Sequence, residues 1–236
     1  MNISITFLGT KGEIEESTPR HRYHSSALLV AGAARILIDY GRLRRQSLNE
    51  IKPDAVLITH AHPDHYAWLH EDLPLDAPVY MSQDTYDYGK YKPQNSRIIK
   101  PGETFGAGPF VCESYDVMHS IRCPAVGWRI KAGGRTLVYN SDLVDIIRKE
   151  AVLTGVDYYI GDGSAIKANL VRRRDDVLFG HTRIGTQINW CRKFGIPNVM
   201  FTHLGKETIG KEEEFLKEPT DIVLAYDGMQ VTIAEN

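Results

Sequence analysis

Along most of this chain, apolar residues come in short runs broken by glycine, proline and aspartate, a pattern that predicts strands more often than helices. Ile3 to Leu8, Ala27 to Val30 and Arg35 to Asp39 read as strands, the last two joined by a glycine turn at Gly32 into a hairpin. Ala55-Val56-Leu57-Ile58 is a buried-strand run that stops at Thr59 and gives way to a polar, proline-containing loop. Val126 to Lys131 and Arg135 to Asn140 flank Gly133-Gly134, a second hairpin signal. Ile184, Ile188, Cys191 and Phe194 recur at helical spacing and lead into the strand Val199 to Phe201. Near the end, Asp227-Gly228 separates Ile222 to Tyr226 from Met229 to Ile233, which predicts a third hairpin with Asp227 as a turn residue. Strands with interspersed helices imply a layered α/β arrangement. With no repeat, low-complexity tract or linker, residues 1–236 are expected to form a single domain.

Composition narrows the function classes. A hydrophobic fraction of 42% and a charged fraction of 25% suit a globular protein. No apolar run approaches the roughly 20 residues of a membrane-spanning helix, and the start lacks the pattern of a signal peptide, so a cytoplasmic protein without membrane association is expected. Cys112, Cys123 and Cys191 form no C-x-x-C pair and read as buried free thiols. A formal charge of −2 advertises no broad nucleic-acid surface. The densest basic groups, Arg42, Arg44 and Arg45 and then Arg172, Arg173 and Arg174, read as solvated faces.

The segment Thr59-His60-Ala61-His62-Pro63-Asp64-His65 changes the picture. Nine histidines are spread over 236 residues, yet three of them fall within six positions here, together with an aspartate. Imidazole and carboxylate are good ligands for first-row metals. His60 and His62, two apart in extended chain, point to one side and can share an ion. Asp64 and His65 follow Pro63, which can open a helical turn, and so aim elsewhere, toward a second ion.

His-x-His-x-Asp-His after an apolar strand resembles the signature of the metallo-β-lactamase superfamily. The resemblance extends over nearly the whole chain. His119 in Asp116-Val117-Met118-His119, Asp142 in Tyr139-Asn140-Ser141-Asp142 and His203 in Met200-Phe201-Thr202-His203 follow in matching order. It implies an α/β fold, a four-layer αββα sandwich. It also implies two divalent metal ions, zinc or manganese: His60, His62 and His119 on one, Asp64, His65 and His203 on the other, and Asp142 bridging. Such a site activates water and makes the chain a metal-dependent hydrolase.

His181, 22 residues before His203, resembles the extra histidine of the phosphodiesterase branches, the transfer-RNA 3′-end endonucleases and phosphoribosyl cyclic phosphodiesterases. By that resemblance Asp64 and His181 are the catalytic candidates, His181 as general acid or oxyanion contact; a cap for the following helix explains His181 otherwise. Arg20 to Ser26 resembles the loop bordering the active site in those branches and is a candidate phosphate contact or a plain surface loop. Asp39 and Asp162 are candidates to support ligating histidines, or turn residues. Only 22 positions separate His119 from Asp142, too few for the basic arm with which the transfer-RNA endonucleases grip RNA. The expected substrate is therefore a small phosphodiester or cyclic phosphate and not a large structured RNA. Thioester, lactone or lactam hydrolysis, or ligand binding without chemistry, stand as alternatives, and a homodimer is left open.

Overall fold

The structure is a computed structural model and describes residues 3–212 and 222–233. Two mixed sheets lie face to face. The first begins with β1 (Ile3–Gly9), β2 (Ser26–Ala31), β3 (Ala34–Ile38), β4 (Ala55–Leu57), β5 (Val79–Met81) and β6 (Ser96–Ile98), side by side in chain order. The strands β1 to β3 are antiparallel and β3 to β6 parallel. The second contains β7 (Thr104–Ala107), β8 (Phe110–Met118), β9 (Ala125–Ala132), β10 (Arg135–Tyr139), β11 (Asp145–Ile146) and β12 (Tyr158–Asp162). A separate ribbon, β13 (Arg172–Arg174) with β14 (Val177–Phe179), precedes β15 (Asn198–Thr202) and β16 (Ile222–Leu224), which extend the second sheet. The last strand, β17 (Gln230–Ile233), returns to pair with β1.

Period-two alternation explains why both sheets are buried on both faces. Ile36 and Ile38 of β3 and Ala55 and Leu57 of β4 point between the sheets, where they meet Trp128, Ile130, Leu137, Tyr139, Ile160 and Met200. Leu37 and Val56 point the other way, under α1 (Leu48–Ile51), a 3₁₀ turn at Ala67–Leu69 and α2 (Gln83–Tyr88). On the far side Val138, Tyr159 and Phe201 pack beneath α3 (Lys149–Leu153) and α4 (Ile184–Phe194). Three apolar layers thus separate four layers of structure, the α/β sandwich of the metallo-β-lactamase fold.

The hairpins at Gly32 and Gly133-Gly134 form as expected; both glycines of the second turn have positive φ, 54° and 73°, as a two-residue type I′ turn requires. The terminal hairpin does not form. β16 runs parallel to β15 in the second sheet, while β17 runs antiparallel to β1 in the first. Asp227-Gly228 is a turn, but one that carries the chain between sheets. The reason lies in long-range hydrogen bonding: the Asp227 carboxylate accepts from the amides of Arg22 (2.6 Å) and Tyr23 (3.1 Å) and from the Thr10 hydroxyl (2.8 Å). Local turn composition cannot reveal partners some 200 positions away.

All three cysteines are buried and free. Arg172 to Arg174 are exposed, as are Arg42 and Arg45, whereas Arg44 makes a bidentate pair with Glu71 and stacks over Tyr40. Among the described residues no helix is long and apolar enough to cross a membrane.

Asp227→Ala should lower stability by about 2–4 kcal/mol, because it strips three donors of a charged acceptor. Urea unfolding of the variant against wild type measures it; a change under 0.5 kcal/mol would show that the crossing is held elsewhere.

Candidate metal centre and active site

Strand ends deliver the site. The strands β8, β10, β12 and β15 run in one direction, and His119, Asp142, Asp162 and His203 lie at or just after their C-terminal ends. The first sheet contributes His60 to His65 just beyond β4, where a turn closed by the amides of His65 and Tyr66 on the His62 carbonyl reverses the chain. All seven residues expected as ligands come together, and so do His181 and Asp162.

The nitrogens converge in a manner hydrogen bonding does not explain. His60 Nε2 lies 2.9 Å from His62 Nδ1, which lies 3.4 Å from His119 Nε2. His203 Nε2 sits 3.0 Å from Asp64 Oδ2 and 3.2 Å from Asp142 Oδ1. His65 Nε2 is 2.8 Å from Asp142 Oδ2, yet both are buried atoms without an aligned hydrogen-bond partner. Three groups, His60–His62–His119, Asp64–His65–His203 and His60–His65–Asp142, each bring one donor atom per residue within 4.8 Å of the others. Lone pairs aimed at common points, with an orphaned nitrogen and carboxylate oxygen among them, fit divalent metal ions.

Four of the five inward-facing rings are fixed from behind. His65 Nδ1 is 2.8 Å from Asp39 Oδ2, whose carboxylate also accepts from the Thr59 amide and hydroxyl. His60 Nδ1 meets the Thr59 hydroxyl (3.0 Å), His119 Nδ1 the Gly180 carbonyl (3.0 Å) and His203 Nδ1 the Ser164 hydroxyl (2.9 Å). These contacts choose which nitrogen faces inward. His62 alone of the five turns Nδ1 to the cluster. Asp39 and His203 adopt positive φ, 58° and 53°, so backbone strain of about 1–3 kcal/mol each is held at the site. Gly12 lies against His203, where an added Cβ would stand 2.9 Å from the ring.

Electrostatics follow from burial. Desolvation pulls His60 well below the ordinary imidazole value and His119 to about 4. At His203 desolvation acts the same way, but the charge of Asp142 and the bonds to Asp162 and Asp64 outweigh it and raise the ring to about 10. The carboxylates of Asp64 and Asp142 therefore demand positive charge beside them, which protons or cations can supply.

His181 is not one of the seven but adjoins them: its Nδ1 lies 3.4 Å from Asp142 Oδ1, and it clusters with Asp142, Asp162 and His203. Its Nδ1 is 2.7 Å from Asp162 Oδ2, which leaves Nε2 for the cavity above the cluster. Asp162 is held by Gln187, which accepts its amide and donates to its carbonyl. The cavity has a volume of about 430 Å³. Of the Arg20–Ser26 loop, no residue lines it, whereas Gly12 to Ile14 do; His21 and His24 are buried. Sequence reading missed Ser164, the Gly180 carbonyl, Gly12 and Gln187. Of these, Ser164, two residues after Asp162, and Gly180, directly before His181, lay near a candidate in the chain.

Residues 29–204 match the family model of the β-lactamase superfamily domain. The chain belongs to that superfamily. It is 24% identical to ribonuclease Z of Methanopyrus kandleri over 279 aligned positions, covering 97% of each. It is 39% identical to ribonuclease J of Sinorhizobium meliloti over 98 residues, which span 37% of this chain and only 17% of that relative. Among solved structures, a diphosphatase of the PhnP family superposes with a TM-score of 0.73 at 19% identity, covering 99% of this chain and 98% of the other. Fold, family and clustered donors together mark a metal-dependent hydrolase.

His24 provides a pH test of the buried shell. Burial lowers its pKa from 6.5 to about 4, so the unfolded chain takes up its proton first as pH falls. Its contribution is intact above pH 6.5, erodes below that and is gone under pH 4, a loss of roughly 3 kcal/mol. In chelator, stability of wild type should fall more steeply from pH 6.5 to 4 than that of His24→Gln; parallel curves would contradict the assignment.

Proposed function

We propose that this superfamily member binds two divalent ions, zinc or manganese, and hydrolyses a small phosphodiester or cyclic phosphate. In this reading His60, His62 and His119 would hold one ion and Asp64, His65 and His203 the other, with Asp142 as a shared ligand, all within a single domain. Such a pair supplies a nucleophile derived from water near neutral pH and charge for the phosphoryl oxygens.

The observation that carries the reading is the Asp162–His181 couple outside the seven. With Nδ1–H donated to Asp162 at 2.7 Å, the ring is oriented and Nε2 is left to deliver a proton to a leaving oxygen over the cavity. Asp64, which lines the same cavity, orients the incoming water and accepts its proton. Carbonyl substrates with good leaving groups need no such acid, whereas an alkoxide leaving from phosphorus does. The relatives named as ribonucleases and as a diphosphatase also act at phosphorus, which supports the choice. Size supports a small substrate: the interval between His119 and Asp142 contains only β9, β10 and their connections, with no arm to grip RNA.

Protein purified without chelator should carry two metals per chain by mass spectrometry and turn over bis-p-nitrophenyl phosphate, and chelation should abolish that activity. Asp64→Ala should weaken metal retention and remove turnover. His181→Ala should keep both metals and slow a diester with an alkoxide leaving group by about 10²- to 10⁴-fold, while sparing p-nitrophenolate, which departs unassisted. Two metals without any phosphodiester turnover would refute the assignment and direct attention to thioesters and lactones.

A further inference from the structure

The cavity walls bear on which phosphodiester fits, an inference that rests on the phosphodiesterase reading above. Beside the cluster, the apolar part of the lining is Ile14, Ala168 and Leu170. Charged groups on the lining are already engaged. Glu13 pairs with Arg42 at 3.0 Å, and Glu207 Oε2 accepts the amides of Ile166, Lys167 and Ala168 at 2.8 to 2.9 Å. Lys206, the one lysine or arginine on the lining among the described residues, lies 3.0 Å from Glu16. Beyond the wall, the ribbon arginines Arg173 and Arg174 face solvent and pair with Asp176 and Asp175. Among the described residues, the lining's only lysine or arginine therefore already has a carboxylate partner.

The apolar wall is held in place. Ile14 packs against the apolar layer beneath α3 and α4. Glu207 fastens the backbone just before Leu170, and Gly180, at φ 108°, lets the Leu170 carbonyl approach so closely that an added Cβ would stand 2.1 Å from it. Since His181 directly follows Gly180, the wall and the proton-delivering ring share one joint. A cavity of about 150 Å³ accommodates a benzene. At about 430 Å³ this one has room for a ring, a phosphoryl group and a small second substituent, and for no duplex.

We infer that the Ile14–Ala168–Leu170 wall selects phosphodiesters carrying one flat, uncharged ester group of aromatic size, such as an aryl group or a nucleoside base, over those with small alkyl or additional anionic groups. The test uses the metal-loaded enzyme and three diesters sharing a p-nitrophenolate leaving group, with methyl, phenyl or 4-carboxyphenyl as the retained ester, each rate normalised to its uncatalysed hydrolysis. Phenyl should exceed both others in kcat/KM by about tenfold or more, chiefly through KM. Leu170→Ser should reduce the phenyl-over-methyl ratio to within about threefold, and Leu170→Lys should raise kcat/KM for the 4-carboxyphenyl ester above that for phenyl. Equal values for all three esters, or ratios unmoved in both variants, would overturn the inference and leave the phosphodiesterase reading standing. Failure to cleave any of the three would remove both.

Discussion

Two buried carboxylates, Asp64 and Asp142, set the terms for the rest of the site. Each is nearly inaccessible to solvent and lies within about 3 Å of imidazole nitrogen from the opposite sheet or a neighbouring loop. Leaving even one such charge uncompensated costs several kcal/mol, so the fold must bring positive charge to this point. Protonated imidazoles can do it, but the aimed and unpartnered atoms of His65 and Asp142 suit a cation better. Everything around them works to keep the donors pointed inward.

That demand explains why the site sits where the two sheets meet at one edge. Parallel strands end together, and a residue placed just past such an end inherits the rigidity of the sheet while remaining free of its hydrogen-bond ladder. The core between the sheets, built around Trp128, Tyr139 and Ile160, fixes the separation between the His60–His65 turn and the ends of β8, β10, β12 and β15. Asp39, Thr59, Ser164 and the Gly180 carbonyl then choose the ring nitrogen that faces in. A change in the second layer of contacts would thus alter metal affinity without touching a ligand.

The same economy governs the cavity. Gly180 serves three neighbours at once: its carbonyl orients His119, its conformation admits Leu170, and its chain position leads into His181. Gly12 performs a comparable task against His203. Binding wall, proton donor and metal cluster are consequently parts of one mechanical unit.

By itself, the sequence determined the candidate ligands and the strongly patterned strands, β1 to β4, β9, β10 and β15 to β17, but not β5 to β8 or β11 to β14. Period-two alternation is imposed by local backbone geometry, and clustered histidines beyond an apolar strand carry a chemical meaning that needs no coordinates. The hairpins at Gly32 and Gly133-Gly134 were legible because turn residues act on immediate neighbours. Only the tertiary structure decided what depends on distant partners. It sent the strands flanking Asp227-Gly228 into different sheets, because Asp227 answers to Thr10, Arg22 and Tyr23. It placed Asp39 behind His65 and Asp162 behind His181, supplied Ser164 and a backbone carbonyl as further supports, and set the Arg20–Ser26 loop aside in favour of Gly12 to Ile14. Chain order records which groups are available, but hydrogen bonds and van der Waals contact act over a few ångströms of space, and only packing decides which groups lie that close.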